Sequence, residues 1–179
     1  TKLNIINFFA ASAALPWRKA LKTSLISAAD PKASPWLWRL FGLVTRMLNW
    51  LFRAKFSWQA LPTPFDIYAD GIDLVVFEEF GAGAEAIHLA DEIERNELLK
   101  DTAYRRRFRK DYESRFSPRV WHRDFHDAVI VDCPDKEIIG QSVGEVAEER
   151  GIHVCDAFLD LVVEYGSRFR WKTIIANHR

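Results

Sequence analysis

The stretch Ile139-Gly140-Gln141-Ser142-Val143-Gly144-Glu145-Val146-Ala147-Glu148-Glu149-Arg150-Gly151 constrains the local fold more tightly than any other part of this 179-residue chain. The Ser142 hydroxyl is placed to accept from the Glu145 amide, and the Glu145 carboxylate to reach back to the Ser142 amide. That reciprocal pair is a capping box, and it starts a helix. Gly151 ends the helix, because a residue without a Cβ enters the left-handed conformation freely. Asp156-Ala157-Phe158-Leu159-Asp160-Leu161 follows as a second helix. Turn, capped helix, turn, helix is the order predicted here.

A chain that holds 49% hydrophobic residues, with seven Trp and thirteen Phe, has ample material for a packed core, which argues against disorder over most of its length. Lys plus Arg and Asp plus Glu both total 25, so no net field draws the chain to nucleic acid or to an anionic membrane. Two cysteines, Cys133 and Cys155, are too few for a disulfide framework or a cysteine-based zinc site. Reduced thiols and a cytoplasmic setting follow. Lys2 to Phe9 begins directly in strand-like sequence without a basic leader, which disfavours a signal peptide. Trp171 to Arg179 stops just after another strand-like run, so both ends read as cuts through a larger fold.

Between those ends the pattern predicts a strand over 3–11, a helix over 16–29 opening at Pro16, and a loop over 30–35 with Ser34 as N-cap. The strongest helix spans 36–54. Trp36, Leu40, Leu43, Met47, Trp50 and Leu51 recur at helical spacing, and Arg39, Arg46 and Arg53 fall on another face. The apolar stripe is wide enough to require burial against something. Three arginines along its length argue against a membrane span; a basic helix lying on a membrane surface stays open. An extended connector over 56–65, a short strand over 72–77 and helices over 84–99 and 101–115 come next, with Asp101 capping the last. Strands over 127–132 and 171–176 enclose the two helices of the capping-box region. The fold class is α+β, helix-rich, with βααβ order at the end.

Chemistry-bearing residues are scattered. His122 and His126 share a face if Trp121 to His126 is helical, and that spacing suits zinc. No Glu follows His122, so the H-E-x-x-H motif is absent, and solvated or core-edge histidines are the better reading. Cys155, in a first helical turn beside His153, makes a weak nucleophile–base pair against a structural alternative. Arg105-Arg106-Arg107-Phe108-Arg109-Lys110 is the one dense basic cluster. Tyr104, Phe108 and Tyr112 are four apart within it, which favours an amphipathic helix over a nucleic-acid patch. Glu78 and Glu79 stand at a strand end where at most one points into a site. No glycine-rich phosphate loop and no G-x-S-x-G elbow is present.

The pattern G-x-S-x-x-E-x-A-x-x-R-G followed by D-A-F-L-D-L resembles the later part of the N-acyl-D-amino-acid deacylase (D-aminoacylase) branch of the amidohydrolase superfamily. The similarity extends over most of the chain and is most specific from Phe77-Glu78-Glu79-Phe80 through Trp121 to Asn177-His178. It implies an internal fragment of a metal-dependent (β/α)8 TIM barrel with its helical lid insertion. Residues 1–15 would end a barrel strand, 16–125 form the helical insertion or lid, and 126–179 return to the barrel as a βααβ segment. It also implies a parent enzyme that hydrolyses the amide of N-acyl-D-amino acids, with zinc polarising the carbonyl and activating water. The family's metal-ligand and catalytic motifs have no counterpart here, so no such role passes to His88, His122, His126, His153 or His178. Zinc is thus expected in the parent and not in this fragment, which alone would be inactive. Barrel sites lie at the C-terminal ends of strands, which makes Ser12, Asn177 and His178 the substrate-lining candidates. A small N-acyl amino acid is the implied partner and nucleic acid is not; open sheet edges predict self-association or a homo-oligomer. The rival from another class is a helical binding module that engages a membrane surface or a protein partner through 36–54.

Overall fold

Two separate sheets organise the chain. The computed structural model describes residues 22–28, 32–33, 37–51, 55–60, 63–114 and 121–177. β1 (Lys22–Ala28) and β2 (Lys55–Ala60) pair in parallel, Thr23 opposite Phe56 and Ile26 opposite Gln59, and α1 (Leu37–Leu51) is the crossover between them. α1 seats on β2 through Phe41, whose ring stacks on Trp58 at 4.8 Å. Asn49 holds both backbone groups of Phe56, accepting from its amide at 2.8 Å and donating to its carbonyl at 3.0 Å. The Trp58 indole donates to the Thr45 hydroxyl.

The second sheet has the order β3 (Phe65–Asp70), β5 (Arg170–Ala176), β4 (Val129–Asp132), and the central β5 runs antiparallel to both neighbours. One face of β5 presents Trp171, Thr173 and Ile175 to the core. Around it lie α2 (Gly81–His88), α3 (Glu92–Lys100), α4 (Thr102–Glu113), α5 (Val143–Arg150) and α6 (Val154–Tyr165), with short 3-10 turns at Val75–Glu79, Phe125–Asp127 and Gly166–Arg168. Phe77 sits at the centre, its ring against those of Phe80, Phe108, Trp121, Phe125, Phe158 and Trp171. The buried polar tips of this cluster all find partners, as burial demands. Trp121 donates to Thr173 Oγ1 at 3.1 Å, Trp171 to the Gly71 carbonyl at 2.8 Å and Tyr104 to the Ala82 carbonyl at 2.7 Å.

This architecture overturns the TIM-barrel expectation. A barrel needs consecutive strands parallel, each followed by one helix that brings the chain back. Here β4 and β5 are joined by two helices, α5 and α6, so the chain returns from the opposite end and the strands meet antiparallel. The helix-rich α+β composition holds; the barrel does not. Other differences are local. Within the helix expected over 16–29, residues 22–28 form a strand, because pairing with β2 satisfies their backbone groups; 16–21 and 29 lie outside the described residues. Residues 72–77 turn after Gly71 and wind into a 3-10 helix that drops Val76 and Phe77 into the core. Helix 84–99 is two helices, broken where the Asp91 carboxylate accepts from the amides of Ile93 and Glu94 and starts a new N-terminus. The strand expected over 3–11 lies outside the described residues. The helices expected over 36–54 and 101–115, the two helices of the capping-box region, and the strands over 127–132 and 171–176 are found close to the positions that periodicity and capping predict.

Candidate functional site

The capping-box segment is built as its sequence requires. Ser142 Oγ accepts from the Glu145 amide at 3.1 Å, and a Glu145 carboxylate oxygen accepts from the Ser142 amide at 2.6 Å. Gly151 closes the helix at φ +64°. Gly144 is small for a different reason: a Cβ there would lie 2.1 Å from His126 Nδ1. His126 is exposed but lies against α5 at Gly144, within the 3-10 turn Phe125–Asp127, and not on a helical face shared with His122.

His122 joins a different group. Its Nε2 lies 2.7 Å from Asp127 Oδ2, and the Lys32 ammonium pairs with the same oxygen. With Asp124 these residues bring one potential ligand atom each within 4.8 Å of one another. The His122 side chain is only 9% exposed. Burial lowers its pKa, and the hydrogen bond to Asp127 works against that. Burial works to raise Asp127, but hydrogen bonds from Lys32 and His122 outweigh it and hold the carboxyl below its ordinary range. A neutral imidazole is the form that binds metal. Even so, Asp127 Oδ2 already meets two cationic or N–H donors, and a metal there would have to displace the Lys32 ammonium. The donor set does not fit a resident zinc.

The His153–Cys155 pair is a cap. His153 Nδ1 accepts from the Cys155 amide at 3.2 Å, which leaves Nε2 to carry the proton toward Glu113 Oε1 at 3.1 Å. The imidazole thus terminates α6 and is not positioned as a base on the thiol. Burial pushes the Cys155 thiol well above its ordinary pKa, and raises Cys133 too, which makes both poor nucleophiles.

The basic cluster docks on other helices. Arg105 pairs with Asp160 at 2.7 Å, Arg109 with Asp156, and Arg107 with Glu85 at 3.1 Å, while Tyr104, Phe108 and Tyr112 are buried. The two aspartates of D-A-F-L-D-L are four apart on α6 and meet two arginines four apart on α4. Glu78 is exposed, and Glu79 faces Arg123 across 3.8 Å. The fully buried Arg123 guanidinium also lies 4.8 Å over the Phe80 ring and donates to the Asp111 carbonyl at 3.1 Å.

A polar cavity of about 260 Å³ opens where the β3 end, α3 and the turn after α6 converge, lined by Asp70, Asp73, Glu92, Arg95, Asn96 and Ser167 among others. Three of its four charged lining residues are held in ion pairs. Arg170 grips Asp70 through two hydrogen bonds of 2.7 and 3.2 Å and holds that carboxyl below the usual range, and Arg95 meets Asp73 at 2.8 Å. Sequence reasoning missed this cavity because its partners lie as much as 100 positions apart; the Asp70-Gly71 turn was its only local sign. Of the substrate-lining candidates, Asn177 follows β5 at φ +64° and donates from Nδ2 to the Thr63 carbonyl at 2.8 Å, tying β5 to the entry of β3. Ser12 and His178 lie outside the described residues.

Fold and site together define an α+β unit with one parallel and one antiparallel sheet, in which His122, His153, Asp70, Asp127, Asp156 and Asp160 serve caps and ion pairs and both cysteines are buried. The chain is 52% identical over 177 residues to uncharacterized proteins of Mycobacterium bovis and of two Mycobacterium tuberculosis strains. The match takes in 98% of this chain but 29% of each relative, so the chain spans under a third of their length. No protein-family model and no solved structure matches it. Among the described residues no helix is long and apolar enough to cross a membrane.

Proposed function

We propose that this chain is a non-catalytic portion of a longer zinc-dependent amidohydrolase that hydrolyses the amide bond of N-acyl-D-amino acids in the cytoplasm. The observation that supports the proposal is the segment Gly140 to Leu161, whose resemblance to D-aminoacylases goes with a capped two-helix unit in which Ser142, Glu145, Asp156 and Asp160 of the motif each have a structural use. The proposal concerns the reaction of the parent and not a barrel fold for this chain. Catalytic and metal-ligating side chains come from the rest of the parent, in keeping with the 29% share of the relatives that this chain matches. Cys133 and Cys155, both buried and free, suit a reducing compartment.

The test compares the 179-residue chain with its longer parent. Zinc content and amino-acid release from N-acetyl-D-amino acids are expected in the parent and in neither assay of the chain alone. Robust turnover by the isolated chain, or an inert zinc-loaded parent, contradicts the proposal. A second reading, a helical binding module that engages a membrane surface or a protein partner, is favoured by one observation: the outer face of α1 is apolar and exposed.

A further inference from the structure

α1 has three longitudinal sectors. Phe41, Val44, Thr45 and Leu48 turn toward β2, with Thr45 and Leu48 buried. Arg39 and Arg46 lie on a second sector together with Gly42. The third sector carries Leu40, Leu43, Met47, Trp50 and Leu51, at the spacing of one helical face, and all are exposed, Leu43 by 62% and Trp50 by 80%. Scattered single apolar residues on a surface are ordinary; a continuous stripe of this kind marks an interface.

Charge decides between classes of partner. The helix has two cations and no acid, and the chain as a whole is neutral. Recognition of anionic lipid typically draws on a cluster of about 4–8 Lys or Arg, each worth about 1 kcal/mol near the surface. Even with Arg53 two residues beyond its end, three are too few, and a neutral chain adds no long-range attraction. A protein surface needs no such field. More than two thirds of each mycobacterial relative lies outside the match, so in a protein built like them this unit is tethered to a much larger partner at high effective concentration.

We infer that the Leu40–Leu43–Met47–Trp50–Leu51 face of α1 is an intramolecular docking surface for the remainder of a longer parent protein, its occupant an apolar patch rimmed by carboxylates that meet Arg46. The inference rests on the chain being part of a longer protein, as in the proposed function, but not on amide hydrolysis. Activity is therefore not its readout.

Cys133 and Cys155 are the chain's two cysteines and both are buried, so a thiol introduced on α1 reports that face. The variant Leu43→Cys, with Met47→Cys as a second position, is labelled with a maleimide in the 179-residue chain and in the parent, and the rate at residue 43 or 47 is read by peptide mass spectrometry. Labelling at least tenfold slower in the parent is expected. Equal rapid labelling in both overturns the inference. Slow labelling already in the isolated chain means residues 1–21 or, if it depends on concentration, a second copy covers the face, and also overturns it. So does protection that arises only when vesicles rich in anionic phospholipid are added.

Discussion

The half of the molecule built on β3, β4 and β5 and the half built on β1, α1 and β2 handle apolar surface in opposite ways. In the first, Phe77, Trp121, Phe125, Phe158 and Trp171 are fully buried around one point, and their polar neighbours are hydrogen-bonded. In the second, α1 covers one sector of its stripe with a two-stranded sheet and leaves another in water. Two strands on one side cannot cover a helix whose apolar residues occupy two of its three sectors. The first region has what a fold needs to stand alone. The second has what a fold needs to lean on a neighbour.

Substitutions at matched positions sharpen that contrast. Phe77→Ala removes a ring in contact with six others and is expected to cost about 3–5 kcal/mol in urea unfolding of the chain; a loss under about 1 kcal/mol would mean the cluster is not the core. Gly144→Ala forces a Cβ into the His126 ring and should cost about 1–3 kcal/mol. Adding His126→Ala to that variant should recover most of the loss, and strict additivity would refute the clash. Ser142→Ala deletes half of the capping box, for about 1 kcal/mol.

His122 supplies a pH dependence. Burial depresses its pKa below the ordinary 6.5, so the unfolded chain takes up the proton first as pH falls. Stability from this group is complete above pH 6.5 and declines as pH drops from there toward the lower folded value. Replacing His122 by Gln should flatten that part of the curve. The smallest effect is expected at α1, where Leu43→Ser should stay within about 0.5 kcal/mol in the isolated chain because the side chain already faces water. A larger loss there would erase the contrast.

Much of the first region was legible because its signals are local. Ser142, Glu145, Gly151 and Asp101 announce helix ends within four residues, and Tyr104, Phe108 and Tyr112 mark a buried face by spacing alone. What failed was the joining of elements. The βααβ order is present as the sequence predicts, but the parallel barrel that the resemblance implies is not, because two intervening helices return the strand antiparallel. β1 was read as helix because a short apolar run carries no decisive period, and only pairing with β2, 33 positions away from Lys22 to Lys55, makes it a strand. Ion pairs were likewise invisible. Arg105 and Arg109 of α4 find Asp160 and Asp156 on α6 rather than the nearby acids in sequence, and the Asp70–Arg170 pair closes over 100 positions. For the candidate site, residue types were readable but their uses were not: His153 caps the helix that Cys155 enters, and His122 shares the Asp127 carboxylate with Lys32.

Native-state hydrogen exchange on the isolated chain tests the two-region account most directly. Amides of β5 and of α6 around Phe158 should exchange only through global unfolding, while those of α1 exchange through local opening at a much lower free energy. Protection of Leu43 to Asn49 equal to that of Trp171 to Ile175 would contradict it.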